Sequence, residues 1–219
     1  MSDLNGDVIL VLGASGDLGS RLASVLTAAG ATVVHASRST GHDLRDVTMP
    51  SRILATIHQE HGRLDGVVIA AGVVAFGSAD TLSDATLNEL FDVNALGPIR
   101  VIREATPLLA ESSRAGGHPF IVTLSGIVSE VPTAGLAAYS ASKSALAAFA
   151  VAASRELRRS GIRILDARPG HTETSLSQHP IAGTPPAFGP GLDPDVVVAR
   201  IVRAISDDER DLPSTAFAE

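Results

Sequence analysis

The sequence predicts an α/β protein, one domain in which a parallel sheet is covered on both faces by helices. Three observations lead there. Short aliphatic or β-branched runs recur along the chain, and longer stretches with helical spacing separate them. The composition, 45% hydrophobic but only 3% aromatic, builds a core from Ala, Val, Leu and Ile, which suits helices packed closely on a sheet. At 219 residues the chain is long enough to bury both faces of such a sheet in a single domain spanning 1–219.

The runs come in order as VILVL at 8–12, ATVVHA at 31–36, GVVIA at 66–70, FIVTL at 120–124 and IRILDA at 162–167. Each is short and apolar enough for a strand buried on both faces. Residues 18–29, 51–61, 84–111 and 138–159 lie between them, each long enough for the crossover helix that a parallel connection requires. Residues 175–194 hold five prolines and three glycines, which interrupt helix and strand alike. They are expected to form a mobile loop over the substrate rather than a domain boundary, because too little chain follows to fold alone.

A net charge of −7 repels phosphate backbones, and no basic run interleaved with aromatics offsets it, so nucleic acid is not an expected partner. The N-terminal MSDLNGD is acidic and polar, and the apolar run after it is too short for an export signal or a membrane span. A cytoplasmic protein with no membrane partner is expected. The absence of cysteine excludes disulfides and thiol catalysis. His58 and His61 are three apart on a helix, but HQEH lacks the zinc-protease pattern and no third ligand is apparent, so no metal site is expected.

After the first strand comes Gly13-Ala14-Ser15-Gly16-Asp17-Leu18-Gly19, leading into a helix. Glycines in this context allow a tight turn and close approach of backbone to a pyrophosphate, which the helix N-terminus favours through its free N–H groups and dipole. Gly13, Ser15, Gly16, Asp17, Leu18 and Gly19 are therefore candidate cofactor contacts. Asp17 is expected to point away from the pyrophosphate or to cap the helix. The second strand ends Ala36-Ser37-Arg38, with a hydroxyl and a guanidinium where an acid would hydrogen-bond an adenosine ribose. Ser37 and Arg38 suit a 2′-phosphate, so NADP is favoured over NAD.

Tyr139 is the only tyrosine of the chain and Lys143, four residues later, the only lysine beside sixteen arginines. On a helix, positions four apart share a face, so the pair is a potential acid with its own tuning charge. A free phenol near pKa 10 is a poor proton relay at neutral pH unless a cation stabilises its anion.

With the glycine loop, the second-strand end and YxxxK in this order, the sequence resembles the short-chain dehydrogenase/reductase family over nearly its whole length. Further segments carry the likeness. Asp43-Leu44 stands where the family sets an acid against adenine; Asn94, in FDVNALG, matches its helix asparagine; and Pro169-Gly170-His171-Thr172-Glu173-Thr174 matches its PGxxxT segment. The resemblance implies a doubly wound Rossmann fold and hydride transfer between a nicotinamide and a carbonyl or alcohol. Tyr139 would exchange the proton, Lys143 would also bind the nicotinamide ribose, and Asn94 would hold a water leading from Lys143 to solvent. Ala71, Gly72, Pro169, Gly170, Thr172 and Thr174 would lie against the cofactor. A homodimer or homotetramer through the helices at 84–111 and 138–159 is also implied.

Two departures stand out. The family's serine, thirteen residues before the tyrosine, is here Gly126, with Ser125 adjacent. If the strand continues regularly, Ser125 faces away from Tyr139; Ser125, Ser129 or no serine completes the site. The third run ends Ala70-Ala71-Gly72, where the family has segments like Asn-Asn-Ala-Gly. The expected substrate pocket is mostly apolar, from Val73, Val74, Phe76, Ile127, Val128, Val131 and Leu176, with Glu130 the one acid nearby and His171 a polar neighbour. The leading expectation is an NADP-dependent oxidoreductase. Its alternatives are a cofactor-binding protein with little turnover, in a regulatory or assembly role, and a non-redox relative.

Overall fold

The computed structural model describes residues 4–217. In chain order its elements are β1 (Val8–Leu12), α1 (Asp17–Ala28), β2 (Thr32–Ala36), α2 (Met49–His61), β3 (Gly66–Ile69), α3 (Asp84–Phe91), α4 (Gly97–Arg114), β4 (Phe120–Leu124), α5 (Ala137–Leu157), β5 (Arg163–Ala167), α6 (Pro194–Ser206) and β6 (Asp211–Leu212). The strands form one sheet in the order β2-β1-β3-β4-β5-β6, every neighbouring pair parallel.

Alternation along β1 shows why its sequence reads as an unbroken apolar run. Val8, Leu10 and Leu12 pack into a core shared with α2, α4 and α5, whereas Ile9 and Val11 pack against α1 and α6. Both faces are covered, so no position of the strand tolerates a polar side chain. Because β1 lies between β2 and β3, the chain leaves it in one direction and returns past it in the other. This switch opens a crevice beyond the C-terminal ends of β1 and β3.

The stretch expected as one helix over 84–111 is divided. Between α3 and α4, residues Asp92–Leu96 form a π-helical turn, a widening that commonly marks a functional position; Asn94 lies within it. Two elements extend the sequence reading. Helix α6 begins at Pro194, with Asp193 as its N-cap accepting the Asp195 N–H at 2.7 Å, and β6 adds two residues to the sheet edge. At the opposite end of the sheet, buried Asp65 accepts the Val8 N–H at 2.9 Å, both arms of the Arg63 fork at 2.8 Å and the Ser112 hydroxyl. Burial opposes its ionisation, but these donors together outweigh burial and hold the carboxyl below its ordinary range.

Candidate active site

A cleft of about 650 Å³ opens at the C-terminal ends of the central strands, a volume typical of small-molecule sites. The glycine loop forms one wall. Gly13 turns at φ +80°, and a Cβ on Gly19 would stand 2.1 Å from the Gly13 carbonyl oxygen, so only glycine lets α1 come this close to the end of β1. Gly19 serves that packing and does not itself line the cleft, unlike Gly13, Ser15, Gly16, Asp17 and Leu18. The N-cap of α1 is Gly16, which makes no side-chain cap bond. The helix's free N–H groups border the cleft, an arrangement that fits a dinucleotide pyrophosphate.

Asp17 departs from expectation. It neither caps α1 nor leaves the cleft; its carboxylate accepts the Ser175 backbone N–H at 2.7 Å and the Ser175 hydroxyl. These two bonds are the main reason its carboxyl lies below the ordinary range. Further along the same wall, the buried Ser37 hydroxyl meets Ser39 Oγ at 2.8 Å. Exposed Arg38 lines the cleft, and among the described residues its guanidinium makes no hydrogen bond or ion pair. Asp43 is engaged by Arg45 at 2.6 Å, and Arg45 also reaches Glu89 at 3.2 Å; Leu44 is buried beside them.

Tyr139 and Lys143 lie one turn apart near the start of α5 and both line the cleft. The Lys143 ammonium is buried, donates to the Leu124 carbonyl at 2.8 Å and stands 5.9 Å from the centre of the Tyr139 ring. Burial pushes the Tyr139 phenol up to about 12 and the Lys143 amine down to about 8, the latter opposed by the charge of Asp166. At neutral pH the phenol therefore keeps its proton, the form that donates. Asn94 is fully buried and does not line the cleft. Its carboxamide accepts the Val73 N–H at 2.9 Å, returns a bond to the Val73 carbonyl at 2.9 Å and donates to Ser142 Oγ at 3.1 Å. A Cβ on Gly72 would stand 3.3 Å from both Asn94 Oδ1 and Lys143 Nζ, so Gly72 and Lys143 meet at the cleft wall with Asn94 behind them.

The end of β4 answers where the serine goes. Ile121, Thr123 and Ser125 alternate onto the face that α5 covers, because Ile121 shares the core of α5 whereas Val122 and Leu124 share that of α1 and α6. Regular alternation thus turns Ser125 towards the layer of Tyr139, the reverse of the sequence expectation. Its hydroxyl is nevertheless fully buried and donates to Asp166 Oδ2 at 2.6 Å. Ser125 also lines the cleft; donating to a substrate carbonyl would draw its proton away from Asp166, whereas an alcohol could donate to its oxygen with that bond kept. Gly126 adopts φ 74° and ψ 164°, a region essentially restricted to glycine. Ser129 donates to the Gly126 carbonyl at 2.7 Å and approaches Ser125 Oγ at 3.2 Å, but it does not line the cleft.

Pro169, Gly170, Thr172, Thr174, Ala71 and Gly72 all line the cleft, as do Val73, Val74, Phe76, Ile127, Val128 and Leu176. Val131 does not, and is 61% exposed. Glu130 is turned out of the cleft to bind Arg168 and Ser214. The loop contributes further walls that its sequence did not mark: His179, Ile181 and Phe188. Phe188 stacks on His171 with centroids 4.3 Å apart. Pairing ties this loop down, with Ile181 N–H donating to Val74 O at 2.8 Å, Phe76 N–H to Ala182 O at 2.9 Å and Leu192 N–H to His171 O at 2.7 Å.

The chain is similar to known proteins in sequence and fold. A family model described as short chain dehydrogenase matches residues 7–182. Ipsdienol dehydrogenase of Ips pini is 30% identical over 198 residues, covering 80% of this chain and 78% of the relative. The 2,3-dihydro-2,3-dihydroxybenzoate dehydrogenase of Escherichia coli is 29% identical over 186 residues, covering 80% of this chain and 73% of its own. A short-chain dehydrogenase from Streptomyces avermitilis superposes with a TM-score of 0.82 at 26% identity, over 95% of this chain and 88% of that one. The chain belongs to the short-chain dehydrogenase family.

Proposed function

We propose that the protein is an NADP(H)-dependent oxidoreductase that moves hydride between the nicotinamide and a carbonyl or alcohol substrate, with Tyr139 as the acid and base. The observation that carries this reading is the placement of the one tyrosine and the one lysine together in the cleft that the glycine loop opens. When bound, the nicotinamide supplies the hydride. Gly13, Ser15, Gly16 and Leu18 would receive the pyrophosphate, Lys143 would hold the nicotinamide ribose, and Pro169, Gly170, Thr172 and Thr174 would border the nicotinamide; all line the cleft. Tyr139 donates its proton to the carbonyl oxygen in reduction and takes it back in oxidation.

Arg38 supports the preference for NADP: among the described residues its exposed guanidinium makes no hydrogen bond or ion pair, though it acts on Asp43 through its charge, and no carboxylate ends β2 to repel a 2′-phosphate. The substrate end of the cleft is lined by Val74, Phe76, Ile127, Val128, Leu136 and Ile181, which suits an apolar substrate of small or medium size. Two relatives are named as dehydrogenases of hydroxylated compounds, in keeping with alcohol chemistry. A cytoplasmic homodimer or homotetramer is part of the same reading. The test is turnover of NADPH and NADH with a panel of apolar ketones and aldehydes, alongside Tyr139→Phe.

The Ser125 to Asp166 bond and the bare Gly126 favour one second reading, a protein that binds the cofactor and turns over little. It predicts NADPH binding at wild-type strength in Tyr139→Phe and no hydride transfer by either protein.

A further inference from the structure

Asp166 belongs to none of the motifs above, yet it is 4% exposed and lies beside the catalytic layer. It sits on β5 directly opposite Thr123 of β4. Its Oδ1 accepts the Thr123 hydroxyl at 2.6 Å and its Oδ2 the Ser125 hydroxyl at 2.6 Å. These two residues flank Leu124, whose carbonyl receives the Lys143 ammonium at 2.8 Å. We propose that Asp166 is a positioning residue for the Tyr139–Lys143 pair: it grips β4 on both sides of the carbonyl that holds Lys143, and its buried negative charge keeps the ammonium charged. The mechanistic consequence rests on the oxidoreductase reading; the contacts themselves do not.

A buried amine loses its proton readily, and Lys143 shows that tendency, with Asp166 acting against it. The other groups around the ammonium are the Tyr139 phenol on α5, the Asn94 carboxamide from the π turn and the Leu124 carbonyl. None of these carries a negative charge at neutral pH. Behind Asp166 stands Arg168, which bonds it at 3.1 Å and also binds Glu130 and Asp211. Arg168 therefore sets how much of the Asp166 charge reaches the lysine. Asp166 also holds the hydroxyl of Ser125, which lines the cleft.

Lys143 is the only lysine in the chain, so 13C at lysine Cε yields one side-chain resonance whose pH titration reports this ammonium alone. Asp166→Asn keeps an acceptor for a hydroxyl and removes the charge; its Lys143 midpoint is expected to fall by about one pH unit. Arg168→Gln unmasks Asp166 and is expected to raise the midpoint. If folded Asp166→Asn titrates as wild type while only its thermal stability drops, Asp166 is merely structural and the proposal is overturned. Should Asp166→Asn fail to fold, the double variant Asp166→Asn/Arg168→Gln, which removes the ion pair together, is compared with Arg168→Gln: a lower Lys143 midpoint in the double variant supports the proposal, and an equal or higher one overturns it. No turnover is needed for this readout, so its failure is distinct from failure of the oxidoreductase reading, which hydride transfer tests.

Discussion

The Asp17 carboxylate, at the first residue of α1, accepts the Ser175 backbone N–H at 2.7 Å and binds the Ser175 hydroxyl as well. It joins the glycine loop to the segment that follows PGxxxT, 158 residues away in sequence. A negative charge thus stands at the helix end where a dinucleotide pyrophosphate would bind, and like charges repel. Asp17→Asn retains an acceptor for Ser175 while removing the charge. The expected result is tighter NADPH binding, roughly three- to tenfold at low ionic strength, measured by fluorescence titration and shrinking as salt is added.

Arg38→Ala removes a guanidinium available to the 2′-phosphate. Charge-assisted hydrogen bonds contribute about 1.5–3 kcal/mol, so the KM for NADPH is expected to rise at least about tenfold, with little change for NADH. Steady-state kinetics with both cofactors measure the difference.

Lys143 lies near 8 through burial, so its ammonium is lost as pH rises through that value. The rate of carbonyl reduction is expected to hold at neutral pH and decline above about 8. Extending the profile to higher pH under saturating cofactor measures it.

At the far end of the sheet, Asp65→Ala strands the Val8 N–H and releases Arg63 and Ser112. The cost is expected to be roughly 2–4 kcal/mol by urea unfolding at pH 7. The Asp65 carboxyl is held below its ordinary value of 3.8 in the folded protein. Its contribution is therefore whole above that value and fades as pH falls through the lower folded one. The gap between wild type and variant should narrow correspondingly in acid.

Much of this architecture was legible because the physics behind it is local. The five apolar runs became β1 to β5, but they are not alike: β1 and β3 are buried and apolar, β2 at the sheet edge leaves Thr32 and His35 exposed, and β4 and β5 bury the polar Thr123, Arg163 and Asp166. The spacing of Tyr139 and Lys143 translates directly into one face of α5. Helix α6 carried readable signals, Asp193 as cap and Pro194 in first position, but they follow the proline-rich loop and merge with it. Strand β6 is two residues long, below what periodicity can register. The π turn depends on backbone hydrogen bonds that no side-chain pattern displays. Least legible was the fate of Ser125: its bond to Asp166 follows from the pairing of Thr123 with Asp166 across β4 and β5, a register that only the assembled sheet defines.

Tyr139 is proposed to supply the proton that accompanies hydride transfer from NADPH to a carbonyl. This central claim is tested most directly by incubating 4-deuterated NADPH with the carbonyl panel and following deuterium into the alcohol product. Wild type is expected to transfer deuterium, and Tyr139→Phe to lose about two to four orders of magnitude in rate while still binding NADPH. Equal transfer by both proteins, or none by wild type that binds NADPH across the panel, would contradict the account.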